Sequence, residues 1–104
     1  MATANEIGQA GEEIVANGLR AAGWRVQQNT QLPGSTDIDG TKNGRHILCQ
    51  VKTAQAPNEP TGLSSDERRN IKSRATRIGA EAWEALVQLD SRLNPTRGVK
   101  WNQL

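Results

Sequence analysis

Three polar side chains with the chemistry to act on a phosphate group lie on two short segments around an Asn-Gly pair. Asp37 lies in the first segment, STDIDGTK, and Gln50 and Lys52 lie in the second, RHILCQVKT. Carboxylate and carboxamide oxygens are hard ligands that suit Mg²⁺, an ion that usually keeps several of its waters. A neighbouring lysine can orient a metal-bound water and stabilise charge that develops on phosphate. These residue types therefore suit metal-assisted hydrolysis of a phosphodiester.

The Asn43-Gly44 pair determines whether these side chains can meet. Asn-Gly between two alternating segments predicts a hairpin with a two-residue type I′ turn. The antiparallel register that follows pairs Asp37 with Gln50, which places their Cβ atoms about 4.5–5.5 Å apart on one sheet face. Lys52 lies on the same face, about 7 Å further along the strand. The turn therefore predicts one patch that contains all three side chains.

The same register separates the second aspartate from this patch. Asp39 pairs with Leu48, one pair nearer the turn, and the alternate residues point to the other face of the sheet. This predicts a core side that consists of Ile38, Ile47, Cys49 and Val51. Spacing alone also fits a solvated hairpin face with a polar cross-strand pair, since short motifs match by chance.

The elements that must position the patch follow from hydrophobic periodicity and breaker residues. We predict helices over residues 5–22 and 66–79, strands over 24–29, 35–41, 45–53 and 82–89, a loop over 54–63, and a loop-like tail after Leu89. The segment 82–89 contains good helix formers, but its alternation after Gly79 favours a strand. This order predicts an α/β fold with a small mixed sheet flanked by helices.

The first helix begins with Thr3 and Glu6 in capping-box spacing. The position of each acid relative to the apolar stripe of this helix indicates which acid can approach the sheet. Glu12 lies at the border of the stripe, whereas Glu13 points to the far side. Glu12 is therefore the acid of this helix that could lean toward a metal ion. In the second helix, Ser65 is the expected N-cap, and the side chains expected to point inward are Ile71, Ala75 and Ile78.

The second helix also carries five basic residues within ten positions: Arg68, Arg69, Lys72, Arg74 and Arg77. They are expected to lie on its exposed arc, where they could contact DNA phosphates. A solvated helix face without a partner is the alternative interpretation.

Composition limits the protein to a few classes. A chain of 104 residues with a net charge of +2 fits one domain (residues 1–104), which dimerisation would help to stabilise. One cysteine, Cys49, excludes an intramolecular disulfide. No signal-peptide core or membrane-spanning run is present, so a cytoplasmic protein is expected.

The remaining aromatic and titratable residues give weaker signals. His46 is expected to be a surface residue at a strand end, about 13 Å from Gln50 along the strand. Trp24 and Trp83 are expected in the core. Trp101 could pack against the domain, contribute to a dimer or stack on a base.

Two segments resemble a known family. GEEIVANGLRAAGW resembles the opening helix of small PD-(D/E)xK nucleases, and TDIDG…GRHILCQVKT resembles their D…(E/Q)xK hairpin, in the glutamine form of Mrr-like restriction endonucleases. The predicted αβββαβ order is similar to the core of this restriction-endonuclease-like superfamily, which includes the archaeal-type Holliday junction resolvases. The resemblance covers residues 8–53 by sequence and 64–89 by element order.

The resemblance implies roles for individual residues. Asp37 matches the aspartate that binds the metal directly, Lys52 matches the catalytic lysine, and Glu12 matches the helix glutamate that assists the metal, here expected through water. Gln50 stands where most members have Glu or Asp, and the Val51 backbone carbonyl would complete the ligand set. Because the Gln50 amide is neutral, the site has one negative charge fewer than most members, and weaker metal affinity is expected.

The resulting expectation is a Mg²⁺-dependent DNA endonuclease, with Mn²⁺ able to substitute. It would resemble a Holliday junction resolvase, act as a homodimer and cut duplex or branched DNA. A catalytically inactive nuclease fold that serves as a DNA-binding or accessory subunit is the alternative, motivated by Gln50. A structural module with a chance motif would bind neither DNA nor metal.

Overall fold

The computed structural model describes residues 2–32 and 35–104, and the side chains of residues 2–28 and 38–104. The elements in chain order are α1 (Ala4–Ala21), β1 (Arg25–Leu32), β2 (Ser35–Lys42), β3 (Arg45–Gln55), α2 (Ser65–Ile78), β4 (Glu81–Leu89) and β5 (Lys100–Gln103). The sheet order is β1-β2-β3-β4-β5. Strands β3 and β4 are parallel, and the other neighbours are antiparallel. The predicted α/β fold with a mixed sheet and flanking helices is confirmed.

Helix α1 begins and ends where its sequence indicates. Thr3 is the N-cap, and it forms a reciprocal capping box with Glu6. Gly23, just beyond the helix, has a φ of +95°, which only glycine adopts without strain. The helix packs so closely on β3 that a Cβ added at Gly11 would lie 1.9 Å from Thr53 Oγ1.

The hairpin of β2 and β3 has the predicted turn and register. Asn43 has a φ of +50° and Gly44 a φ of +80°, as a type I′ turn requires at both central residues. Asp37 pairs with Gln50, and two residues away along each strand Asp39 pairs with Leu48. The register prediction is therefore confirmed pair by pair.

Helix α2 differs from the prediction at both ends. Its N-cap is Ser64, not Ser65, because only Ser64 has Glu67 three positions after it to complete a capping box. Ile71 and Ala75 are buried as predicted, but Ile78 is 50% exposed. The inward placement of Ile78 was wrong because helical periodicity gives the direction of a side chain and not the extent of the sheet beneath it.

The strand prediction for β4 is confirmed, and the prediction of a loop-like tail is wrong for residues 100–103 only. The tail forms β5, which pairs antiparallel with the edge of β4, and the Leu104 N–H donates to the Ala82 carbonyl at 2.9 Å. This four-residue strand, KWNQ, has one large apolar residue, so no alternation marks it. Strand β3 also runs to Gln55, two residues past its predicted end, so the following loop begins later than predicted.

The two helices pack on opposite faces of the sheet, because odd and even positions of β3 belong to different clusters. On the α1 face, Val15 and Leu19 pack with Ile38, Ile47 and Cys49. The α2 face has a smaller cluster of Leu48, Leu63, Ile71, Ala75 and Ala82. None of the described helices is long and apolar enough to cross a membrane.

Candidate functional site

Strand β3 places Gln50 and Lys52 on the sheet face that α2 covers. Both are even-numbered positions of the strand, like Leu48, which packs in the cluster under α2. Asp37 lies directly opposite Gln50 in the backbone register of β2. The structure therefore brings the backbone positions of all three predicted residues together on one face.

The side chain of Gln50 is almost fully enclosed. The residue is 9% exposed, and its amide makes no hydrogen bond to any described residue. Buried amides normally have hydrogen-bond partners, since desolvation without compensation is costly. The Gln50 amide thus retains its hydrogen-bonding and ligating capacity for a group outside the described residues.

A buried acid lies beside Gln50, and the sequence analysis missed it. Glu84 on β4 pairs directly with Gln50 in the parallel register and is 5% exposed. Its two carboxylate oxygens accept hydrogen bonds from the Leu63 N–H and from Asn102 Nδ2, each at 3.0 Å. The alternation of β4 places Glu84 on the face opposite Trp83, but only the β3–β4 register indicates that this face contains Gln50. Glu84 adds a fixed negative charge next to the neutral amide.

Lys52 is held by the first turn of α2. Its Nζ donates to Glu67 Oε2 at 2.7 Å, and both side chains are about one-third exposed. The bond from Lys52, followed by the backbone N–H of Ser64, holds the pKa of Glu67 below its usual value. Glu67 therefore both caps α2 and positions the ammonium group over the α2 face.

Glu12 comes from the other layer of the fold. It lies on α1, next to Gly11, which contacts Thr53 on the α1 face. Burial raises the pKa of Glu12 above its ordinary value. Among the described side chains it has no hydrogen-bond or ion-pair partner. No hydrogen bond or ion pair among the described side chains connects Glu12 to Gln50 or Lys52.

The basic residues of α2 lie mainly in solvent, as predicted. Arg68, Arg69, Lys72 and Arg77 are exposed, and Arg69 forms a surface ion pair with Asp66 at 3.3 Å. Arg74 is half-buried, and burial together with the charge of Arg77 lowers its pKa. Since Glu67 on the same helix holds Lys52, this basic face begins beside the candidate site.

His46 is half-buried and not isolated. Its Nε2 lies 2.7 Å from Asp39 Oδ1, so it pairs with the aspartate that the register had separated from Asp37. Side-chain reach between diagonal neighbours across the hairpin explains the contact, which strand pairing alone does not predict. This pair belongs to the turn end of the hairpin, away from Gln50.

The donor chemistry of the α2 face fits a hard divalent cation. Among the residues that the structure describes, no group of three or more His, Cys, Asp or Glu side chains is placed to hold a metal ion. The described residues offer two donors, the Gln50 amide, which has no hydrogen-bond partner among them, and the Glu84 carboxylate, with Asp37 in register. These are oxygen ligands of the kind that Mg²⁺ and Mn²⁺ accept.

Comparison with solved structures identifies the fold. The chain matches a Holliday junction resolvase, Hjc, from the archaeal hyperthermophile Archaeoglobus fulgidus, with a TM-score of 0.68 and 23% sequence identity. The match covers 92% of this chain and 71% of the resolvase. No protein-family model and no curated protein matches the chain. The mixed sheet with its two helices therefore has the fold of this resolvase structure.

Proposed function

We propose that the protein is a divalent-metal-dependent DNA endonuclease of the PD-(D/E)xK type that acts on branched DNA, as a Holliday junction resolvase does. One observation carries the proposal: Gln50 and Lys52 share the α2 face, opposite Asp37 in register, on the fold of a solved resolvase. The near-complete burial of the Gln50 amide, which has no hydrogen-bond partner among the described side chains, supports a site for a ligand.

The residues that would hold the ion are Asp37, the Gln50 side-chain oxygen and the Val51 backbone carbonyl, with Glu12 acting through water. Glu84 would supply the negative charge that the Gln50 amide lacks. A bound Mg²⁺ or Mn²⁺ ion would provide an acidic water and neutralise phosphate charge. The hydrogen bond from Lys52 to Glu67 would give way to one with the substrate phosphate, where the ammonium group stabilises developing negative charge.

The exposed basic residues of α2 would bind the DNA backbone. Arg68, Arg69, Lys72, Arg74 and Arg77 would contact phosphates, and affinity should fall with rising salt. A chain with one site would cut two strands most simply as a two-fold symmetric homodimer, which also matches a symmetric junction.

Cleavage assays test the proposal. Labelled duplex, single-stranded, flap and four-way-junction DNA would be incubated with the protein in Mg²⁺ and in Mn²⁺. The wild type should cut branched DNA, and Lys52→Ala and Asp37→Asn should each lose at least about a hundredfold in rate. Asp39→Asn is the matched control, since Asp39 lies on the same strand and face but pairs with Leu48. Equal losses in the Asp37 and Asp39 variants would reject the assignment.

A non-cleaving DNA-binding subunit is the second candidate. The neutral Gln50 amide and the engagement of Lys52 by Glu67 favour it. Isothermal titration with Mg²⁺ and Mn²⁺ separates the two candidates. The nuclease proposal predicts binding that Asp37→Asn abolishes, whereas the accessory role predicts DNA binding without a metal site.

A further inference from the structure

All three tryptophans of the chain line one apolar pocket of about 200 Å³. Trp83 and Trp101 meet edge to face, with ring centroids 6.4 Å apart at 80°, and form one corner. The guanidinium of Arg45 lies 5.4 Å from the ring centroid of Trp24. The other lining residues are Leu19 and Ile47. We call this the tryptophan pocket.

The tryptophan pocket is separate from the candidate nuclease site. Ile47, Trp83 and Trp101 occupy positions on the α1 face, whereas Gln50 and Lys52 lie on the α2 face. The pocket also lies where β3 and β4 begin. Trp101 is 37% exposed, so the pocket opens to solvent at the edge strand β5.

A basic hollow of about 440 Å³ adjoins this pocket and shares Arg45 with it. Arg25, Lys42 and His46 also line the hollow, and none of its lining residues is acidic. Glu81 binds Arg45 at 2.8 and 3.1 Å, and Asp39 lies against His46. Arg25 and Lys42 have no ion-pair partner among the described side chains, and Lys42 Nζ donates a hydrogen bond to the Ala22 carbonyl, so no described acid neutralises either charge.

We propose that the tryptophan pocket and the basic hollow together bind one unpaired nucleotide of a DNA strand. The base would enter the pocket and stack on the indoles, and its phosphate would bind Arg25 and Lys42 in the hollow. The pocket is smaller than the roughly 300–1,000 Å³ of most small-molecule sites, which suits a single planar ring. A cationic ligand is disfavoured because Arg45 already lies against Trp24.

Intrinsic fluorescence tests this site directly, because no tryptophan lies outside the pocket. A short oligothymidylate would be titrated into the protein in EDTA at low salt, where metal-dependent cleavage is absent. We expect quenching by the oligothymidylate, and none by inorganic phosphate or by an abasic oligonucleotide of equal length. A negative result leaves the nuclease proposal intact, since that proposal is measured by cleavage in metal.

Variants separate the base from the phosphate. Trp101→Ala should raise the Kd for oligothymidylate about fivefold or more, given the usual contribution of one stacked base. Trp101→Leu keeps apolar contact with Trp83 and should weaken binding nearly as much while it keeps the urea-unfolding midpoint of the wild type, which excludes misfolding as the cause. Arg25→Gln should weaken binding and reduce by about one the slope of log Kd against log salt concentration. Arg92→Gln, at the other end of β4, should change neither the affinity nor this slope.

Three results would overturn the proposal. The first is equal quenching by the abasic oligonucleotide, because the base would then contribute nothing. The second is the absence of quenching at saturating oligothymidylate. The third is tryptophan emission that changes with protein concentration alone as the mass doubles, since a second copy of the chain would then occupy the pocket.

Discussion

The two faces of the sheet are built differently. The α1 face is mainly apolar and is closed around Ile38 and Cys49, which are fully buried, and α1 contacts β3 directly at Gly11. The α2 face buries three polar side chains, Gln50, Glu84 and Gln88, beside a small apolar cluster. Burying polar groups costs stability unless they are satisfied. Hydrogen bonds satisfy Glu84 and Gln88, so the α2 face combines burial with polar groups that can do chemistry, whereas the α1 face is held mainly by apolar burial.

The reactivity of Cys49 is the strongest test of the closed part of the α1 face. Burial, with a further contribution from Glu84, raises the pKa of the thiol from 9.0 to about 12. The reactive thiolate is thereby reduced about a thousandfold at a given pH. Iodoacetamide should label the native protein at least that much more slowly than protein unfolded in concentrated urea. Fast labelling of the native protein would show that the α1 face is open to solvent at Cys49.

Gly11→Ala should cause the largest loss of stability on the α1 face. The added Cβ would collide with the Thr53 hydroxyl and methyl group, so we expect a loss of about 3 kcal/mol. Gly8→Ala on the same helix is the matched control, since nothing lies within 4 Å of its added Cβ. The control should gain up to about 1 kcal/mol from helix propensity. Urea denaturation measures both, and similar values would contradict the tight packing.

Glu84→Ala tests whether the α2 face combines structure with a ligand site. The change leaves the Leu63 N–H and Asn102 amide without their acceptor, which should cost about 1–3 kcal/mol in urea denaturation. Mg²⁺ should raise the Tm of the wild type and should raise that of Glu84→Gln less. The exposed Glu13→Gln should change neither quantity. An unchanged Mg²⁺ response in Glu84→Gln would limit Glu84 to a structural role.

The smallest expected effect is the pH dependence of the Lys52–Glu67 pair. Because the pKa of Glu67 is lowered in the folded state, the pair stabilises the protein above the ordinary value of 4.5, and this is lost as pH falls through the lowered pKa. Glu67→Gln should therefore cost up to about 1 kcal/mol at pH 7 and nothing at low pH, since the pair is partly exposed. Glu6→Gln, in the other capping box, is the control without a lysine. An equal loss of unfolding free energy in Glu67→Gln at all pH values would contradict the link between the lowered pKa of Glu67 and stability.

The prediction from sequence was most successful where local chemistry determines structure. The Asn43-Gly44 turn has two positive φ angles, and these set the register that pairs Asp37 with Gln50. The capping box at Thr3 was located from residue spacing alone. In the second helix the same spacing rule selects Ser64, so the Ser65 prediction overlooked a local signal. These features could be predicted because each depends on residues a few positions apart.

The sequence by itself therefore determined the hairpin, the helices and the alternation that places Gln50 and Lys52 on one face. Only the tertiary structure decided that Glu84 lies beside Gln50, that Glu67 holds Lys52, and that β5 completes the tryptophan pocket. The pairs Gln50–Glu84, Lys52–Glu67 and Trp83–Trp101 join residues 15 to 34 positions apart in the chain. They depend on the parallel β3–β4 register, the placement of α2 and the return of the tail to the sheet edge. Local propensity has no information on such pairings, because they are selected by the burial of two whole faces at once.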